Sequence, residues 1–550
     1  MRVFFLTSVL IIFLSGCMQK TEEVDLIVFN ASVYTLDENF TMSESLAIKN
    51  GKVVAIGSNQ NIKKGYTAKK SLDLKQKFIY PGFIDAHCHF YGYGMTLKNV
   101  DLTGTKSFEE IVNKTLAHYN EFPTDWVLGR GWDQNDWNVK AFPNNQALNE
   151  AFPDVPVFLT RIDGHGAIAN DEALRRAGIT TNTQSQGGDI LRNNGKLSGV
   201  LIDNAMGLVY RIIPKNNNED IINGLLAAQK NCFAVGLTSV FDAGLGNNVI
   251  RIIDSLQQSN QLKMRIDAMI SPSIENFEQF LYKGIYQTDR LRIGSIKLFA
   301  DGALGSRGAK LIKPYTDDPG NSGLLVADAD YLRNTCKDAY KYGYQVNTHC
   351  IGDSANRLIL KIYGDILQGE NDRRWRIEHA QVIDPADFHY FKKFNIIPSI
   401  QSTHATSDMY WAEDRLGPKR IKTSYAYKQL LEQNGWLPNG SDFPVEDINP
   451  LNGFFAAVAR KDASGYPDQG FQVENALSRK EALKAMTIWA AKSGFSESRI
   501  GSLEPGKFAD FVVLNSDLMS VDIMQVPEIK IEKTFIQGEE VYSAEKSGSL

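Results

Sequence analysis

The sequence predicts an α/β protein: a (β/α)8 TIM barrel, a small β-sandwich built from both termini, and an inserted subdomain after the first barrel strand. Three observations lead there. Eight short apolar runs with strand character alternate with helical patterns over residues 78–440, as parallel βαβ units do. Further strand-like runs crowd into each end of the chain. Residues 91–231 then separate the first barrel strand from the second, an interval too long for one βα loop.

The N-terminus reads as a targeting segment. Arg2 precedes an apolar stretch over residues 3–14 that is too short to span a bilayer comfortably, so residues 1–16 are expected to be a signal peptide. Leu14-Ser15-Gly16-Cys17 resembles the lipobox of bacterial lipoproteins, which implies lipidation of Cys17, export, and anchoring to a bacterial membrane on its periplasmic or cell-surface side. An ordinary cleaved secretory signal is the alternative. Residues 17–23 would be a polar tether. The remaining cysteines, Cys88, Cys232, Cys336 and Cys350, are too scattered for a disulfide framework and are expected free.

Strand-like segments follow at 26–30, 32–35, 45–49 and, after an Asn50-Gly51 hairpin signal, 52–56. Segments 511–514, 529–536 and 540–542 close the chain, so 24–77 and 495–545 are assigned to one composite sandwich. The barrel takes 78–494, with strands expected at 78–87, 237–243, 263–270, 294–299, 345–349, 374–379, 395–400 and 436–440. Its active site is expected at their C-terminal ends. In the insert, residues 126–137 with Asn144 and Asn145 are aromatic and Asn-rich, which suits a pocket wall better than a core; Trp132 and Asp133 are expected to shape that pocket.

Composition narrows the function. A net charge of −5 over 550 residues leaves no basic footprint for nucleic acid, and 43% hydrophobic with 22% charged residues is ordinary for a soluble globular chain. The chemistry-bearing residues gather at the expected strand ends. His87 and His89 in Asp-Ala-His-Cys-His point to one face of a strand while Cys88 points to the other. Lys297 sits inside an apolar strand, where an ammonium is costly. His349, His379 and Asp442 each end or follow a further strand. Singly each has a bland reading as a cap, core or turn residue; jointly they converge on a metal site. Arg376 and Glu378 either support the ligands or form a strand salt bridge, and His118 and His389 read as surface residues.

These motifs, with Asp163-Gly164-His165-Gly166 and the stretch from Lys297 through Asp301-Gly302 to Gly305-Ser306-Arg307, resemble the amidohydrolase superfamily. Within it the chain resembles the family 3 branch that includes N-substituted formamide deformylase-like proteins. The resemblance implies metal ligands at His87, His89, His349 and His379, a carboxylated bridging lysine at Lys297, and an aspartate at Asp442 that binds metal and handles protons. It implies two divalent ions, zinc by ligand type, although manganese, iron or cobalt would suit nearly as well. A metal-bound hydroxide would attack the carbonyl of a small amide-type substrate, cleaving a non-peptide or N-acyl/N-formyl carbon–nitrogen bond. His165 would reach the substrate from the insert, and Asp301 and Trp132 would contribute to substrate binding. A mononuclear deaminase of the same superfamily and a non-catalytic ligand-binding lipoprotein on a degenerate scaffold are the competing readings. Self-association as a homo-oligomer is left open.

Overall fold

A computed structural model describes residues 21–547. The expected lipobox and Cys17 lie outside the described residues. Eight parallel strands form the barrel: β1 (Phe83–Cys88), β2 (Leu237–Leu245), β3 (Arg265–Ile270), β4 (Leu291–Phe299), β5 (Gln345–Cys350), β6 (Arg376–His379), β7 (Ile397–Gln401) and β8 (Asn439–Gly440). They are hydrogen-bonded in chain order from β1 to β8. All six residues of β3 and eight of nine in β4 are buried, because a barrel strand has side chains in the lumen on one face and under helices on the other. The helices answer with a single apolar stripe; Asn247–Gln258 buries Val249, Ile250, Ile253 and Leu256 at helical spacing.

The barrel closes at a seam between β8 and β1. The Asp442 amide donates to His87 O at 2.7 Å, and the His89 amide donates to Phe443 O at 2.8 Å. Gly440 is required by this approach, since a Cβ there would lie 2.4 Å from the His87 nitrogen.

The terminal segments form one continuous eight-stranded sheet rather than two facing ones. Antiparallel pairing of Phe511–Leu514 with Pro81 back to Phe78 joins the two ends of the chain. The sheet folds over its own core of Val28, Leu46, Phe511 and Phe535. Two boundaries move as a result. Glu22 and Glu23, assigned to the tether, pair with Tyr66 and Thr67, and Phe78–Pro81, assigned to the first barrel strand, ends a 16-residue strand of the terminal sheet.

The insert has a six-stranded mixed sheet of its own, with a separate hydrophobic core on each face. It is shorter than 91–231. Phe90–Thr96 and Asn218–Ala234 are barrel helices, with Phe90, Ile221 and Leu225 in the barrel core. All four described cysteines are buried and free. Among the described residues no helix is long and apolar enough to cross a membrane.

Arg265 at the start of β3 binds Asp510 of the terminal sheet with two hydrogen bonds of 2.5 and 3.1 Å, both side chains buried. Asp510→Ala would leave that guanidinium uncompensated, which costs about 3–5 kcal/mol for a broken buried pair. Thermal or denaturant unfolding should show the loss, and an unchanged midpoint would refute the importance of this tie.

Candidate metal centre

Each expected metal ligand stands at the C-terminal rim of a barrel strand. His87 and His89 come from the end of β1, Lys297 from β4, His349 from β5, His379 from β6, and Asp442 from just beyond β8. Asp442 holds the centre. Its Oδ1 lies 3.1 Å from His89 Nε2 and 3.5 Å from His87 Nε2, and its Oδ2 lies 3.5 Å from the Nε2 of a further histidine, His404. Donor atoms of His87, His89 and Asp442, and likewise of His379, His404 and Asp442, lie within 4.8 Å of one another. The His379 and His349 rings are 4.5 Å apart, so His349 borders the second group.

The arrangement fits divalent cations. Asp442 Oδ1 and His379 Nδ1 are buried without a hydrogen bond although nitrogens and oxygens surround them, which is what ligand atoms aimed at a common centre look like. Burial depresses the His349 and His379 imidazoles far below the usual histidine range, reinforced by neighbouring cationic groups, so both present the neutral form that binds metal. His89 is lowered by burial too, against the pull of Asp442. Burial alone would raise Asp442; the imidazoles of His404, His87 and His89 override it and hold the carboxyl well below its ordinary range.

Lys297 is buried, its Nζ 3.0 Å from His87 Nε2, and burial lowers it to about 8 against the opposing charges of Glu378 and Asp442. Glu378 accepts from His87 Nδ1 at 2.6 Å with one oxygen and from Arg376 Nε at 2.6 Å with the other. It therefore orients a candidate ligand, and the Arg376–Glu378 pair is both a buried salt bridge and a support. His404 Nδ1 is backed in the same way by Glu446 at 2.9 Å. Burial would lower His404, but Asp442 and Glu446 push it up to about 10.

The insert forms the opposite wall of a cavity of about 780 Å³ over this centre. His165 lines it, with its ring centroid 4.9 Å from that of His349, and the Asp203 carboxylate accepts from His165 Nδ1 at 2.7 Å. Burial would lower His165; Asp203 overrides it and raises the imidazole. The 297–308 segment is built to receive this dyad, since a Cβ on Gly302 or Gly308 would lie 2.4 Å from Asp203 Oδ2.

Two expected substrate residues do other work. Trp132 is fully buried in the insert core, its Nε1 donating to Leu159 O at 2.8 Å, and it stacks on Trp137. The aromatic residues of 126–137 fill a core because a small sheet needs large apolar volume, and polar Asp133 from the same segment faces the cavity. Asp301 is fully buried and lies off the cavity wall; its carboxylate accepts from the backbone amides of Lys310, Ile351 and Gly352 at 2.8–3.0 Å. It braces the turn after His349. Sequence reading passed over His404, which lies three residues past β7 on a helix that starts without a loop. The position just beyond a barrel strand was the available signal.

With this geometry in place, the likeness to known proteins is extensive. Residues 70–542 match the profile of amidohydrolase family 3. The chain belongs to that family. A plant relative, protein LONG AFTER FAR-RED 3 of Arabidopsis thaliana, is 34% identical over 94% of this chain and 91% of its own length. The putative amidohydrolase YtcJ of Bacillus subtilis is 31% identical, covering 93% and 98%. N-substituted formamide deformylase of Arthrobacter pascens is 24% identical, covering 96% and 100%. Among solved structures, an uncharacterized metal-dependent hydrolase of Pyrococcus horikoshii superposes with a TM-score of 0.75 at 29% identity, covering 90% of this chain and 99% of that one. This amidohydrolase is accordingly a member of the metal-dependent superfamily, and hydrolysis is the chemistry its family supports.

Glu378→Gln would keep the shape of the support behind His87 and remove its charge. Loss of such a partner costs about 10–100-fold in metal affinity. Competition against a chelator should report that drop; unchanged affinity would show that Glu378 serves the strand alone.

Proposed function

We propose that this amidohydrolase cleaves a non-peptide carbon–nitrogen bond in a small N-acyl or N-formyl amide, using two divalent ions, zinc by ligand type, and a Lys297 carboxylated by CO2. The observation that carries this reading is Asp442, one carboxylate shared between the His87/His89 and His379/His404 groups with an unbonded oxygen at the floor of the cavity. Metal ions held there would polarise the amide carbonyl and bring the ionisation of water close to neutrality.

The remaining chemistry belongs to the chain. With its amine lowered to about 8, Lys297 is partly neutral near physiological pH. The neutral nitrogen can add to CO2 and lose a proton, which replaces a buried cation by a carbamate anion beside His87. Asp442 would accept the proton of the attacking water at a carboxylate oxygen and return it to the leaving nitrogen, so that an amine departs rather than an amide anion. His165, backed by Asp203, would donate a hydrogen bond from its free ring nitrogen to the substrate carbonyl or to the leaving group. The relative named for N-substituted formamides supports an N-formyl or N-acyl substrate. Export and lipid anchoring at Cys17 complete the proposal and would place this reaction at a bacterial membrane.

Elemental analysis of the purified protein should give about two ions per chain, falling to one or none in Lys297→Ala. No bound metal in the wild type would refute the hydrolytic reading. Asp442→Asn should lower turnover of a screened N-formyl or N-acyl substrate by at least ~10²-fold with metal largely retained, the size expected for a lost proton-transfer group. Near-normal rates would remove Asp442 from that role.

A further inference from the structure

Most deeply placed arginines of the protein are neutralised by carboxylates: Arg161 by Asp133 and Asp163, Arg265 by Asp510, Arg292 by Asp267, Arg376 by Glu378 and Arg415 by Asp317. Arg460 lacks a carboxylate, and its guanidinium lies instead against the Tyr427 and Phe471 rings. Arg130 has neither kind of partner among the described residues. It is half-buried on the insert strand Val127–Trp132 and lines the same cavity as His165, His379 and Asp442.

Its environment is built to hold a guanidinium in place. Nη2 donates to Ile162 O at 2.7 Å. The group lies over Gly164, where a Cβ would come within 3.3 Å of Nη1 and 3.4 Å of Nη2. That glycine has φ of +73°, a left-handed conformation that disfavours any larger residue, and a Cβ there would press on the guanidinium. Nε is buried and bonded to nothing. A guanidinium cannot shed its proton to escape this cost, so the charge persists.

The acidic groups on the cavity wall do not satisfy it. Asp133 and Asp163 are engaged by Arg161, and Glu446 by His404 and Ser407. Asp408 accepts from Tyr425 and Gln381. Asp442 belongs to the metal groups. Asp101 accepts from its own turn at Thr103, Asp447 from Asn449, and Asp136 is exposed at the rim. A held, unpaired guanidinium facing a reaction cavity matches the planar, two-oxygen geometry of a carboxylate.

We propose that Arg130 is the anchor for a carboxylate carried by the substrate, so that the cavity selects amides with an anionic substituent over neutral ones; this rests on reading the cavity as the site of amide hydrolysis. Arg130 sets specificity and positions the amide, and the bond-breaking groups stay on the barrel.

The test uses the metal-loaded protein and a pair of ligands that lack any carbon–nitrogen bond: levulinate, a ketone analogue of N-acetylglycine, and its neutral isostere hexane-2,5-dione. Calorimetric titration of the wild type should favour levulinate by about tenfold or more, as a charge-assisted hydrogen bond to a carboxylate would give. Arg130→Gln should abolish the preference with metal content unchanged, and Arg130→Lys, which keeps the charge without the fork, should retain part of it. Should the Gln variant not fold, the Lys variant carries the comparison. The proposal is overturned if the wild type does not bind levulinate, if it binds both ligands alike, or if the preference survives undiminished in Arg130→Gln or, where only that variant folds, in Arg130→Lys, since the metals would then be the carboxylate's partner. Arg130-dependent binding by a protein that hydrolyses no amide would leave the anchor standing and sink the hydrolytic reading. Turnover without any carboxylate preference would do the reverse.

Discussion

Asp85 is buried on β1, where its carboxylate accepts from the Ser441 amide, from the Ser441 hydroxyl at 2.6 Å, and from the His87 amide. This clamp spans the β8–β1 seam and determines where Asp442 stands relative to the two histidines of the opening strand. Burial pushes Asp85 up to about 6 even though the Ser441 bonds pull the other way. A charge so placed is tolerable only with the seam closed. Asp442 itself adopts φ of +65° and His379 +71°, both in the left-handed region that side chains ordinarily avoid. Such conformations persist where surrounding contacts over-determine them, and here they coincide with two of the groups that could hold a cation.

The electrostatics of the centre follow from packing. Removing water depresses His89, His349 and His379 and leaves them neutral, while one carboxylate stays ionised among them. An ionised carboxylate set among several neutral imidazoles is a charge distribution that divalent ions would complete. The same desolvation acts on Lys297 and lowers its amine to about 8. Glu378 and Glu446 stand one layer out and fix two of the rings from behind. Preorganisation of this kind lowers the cost of assembling charge during reaction.

The barrel was legible because its signal is local and repeated: most of its strands fall in short, largely apolar runs, and six polar residues mark the ends of five of them. The sandwich assignment missed a strand, Tyr66–Pro81, since residues 66–76 are largely polar and mostly exposed and carry little apolar alternation. The roles of Trp132 and Asp301 were misread for a related reason. A motif shows that a residue is constrained and does not show whether the constraint is a ligand or a turn; Asp301 answers to three backbone amides and Trp132 to a core. His404 went unnoticed, and Asp203 with it, because its partnership with His165 spans 38 residues of a separate sheet. Contacts of that kind exist only once the chain has folded.

The inserted sheet has a consequence for how such enzymes diversify. It packs around two cores of its own, yet it supplies one side of the chamber above the candidate metal centre. Replacing residues on that wall can therefore change which molecules are admitted without disturbing the reagents on the barrel rim. Apart from His165, which the insert contributes, the polar groups of the candidate centre stand on the barrel, so the two walls of the chamber can vary independently.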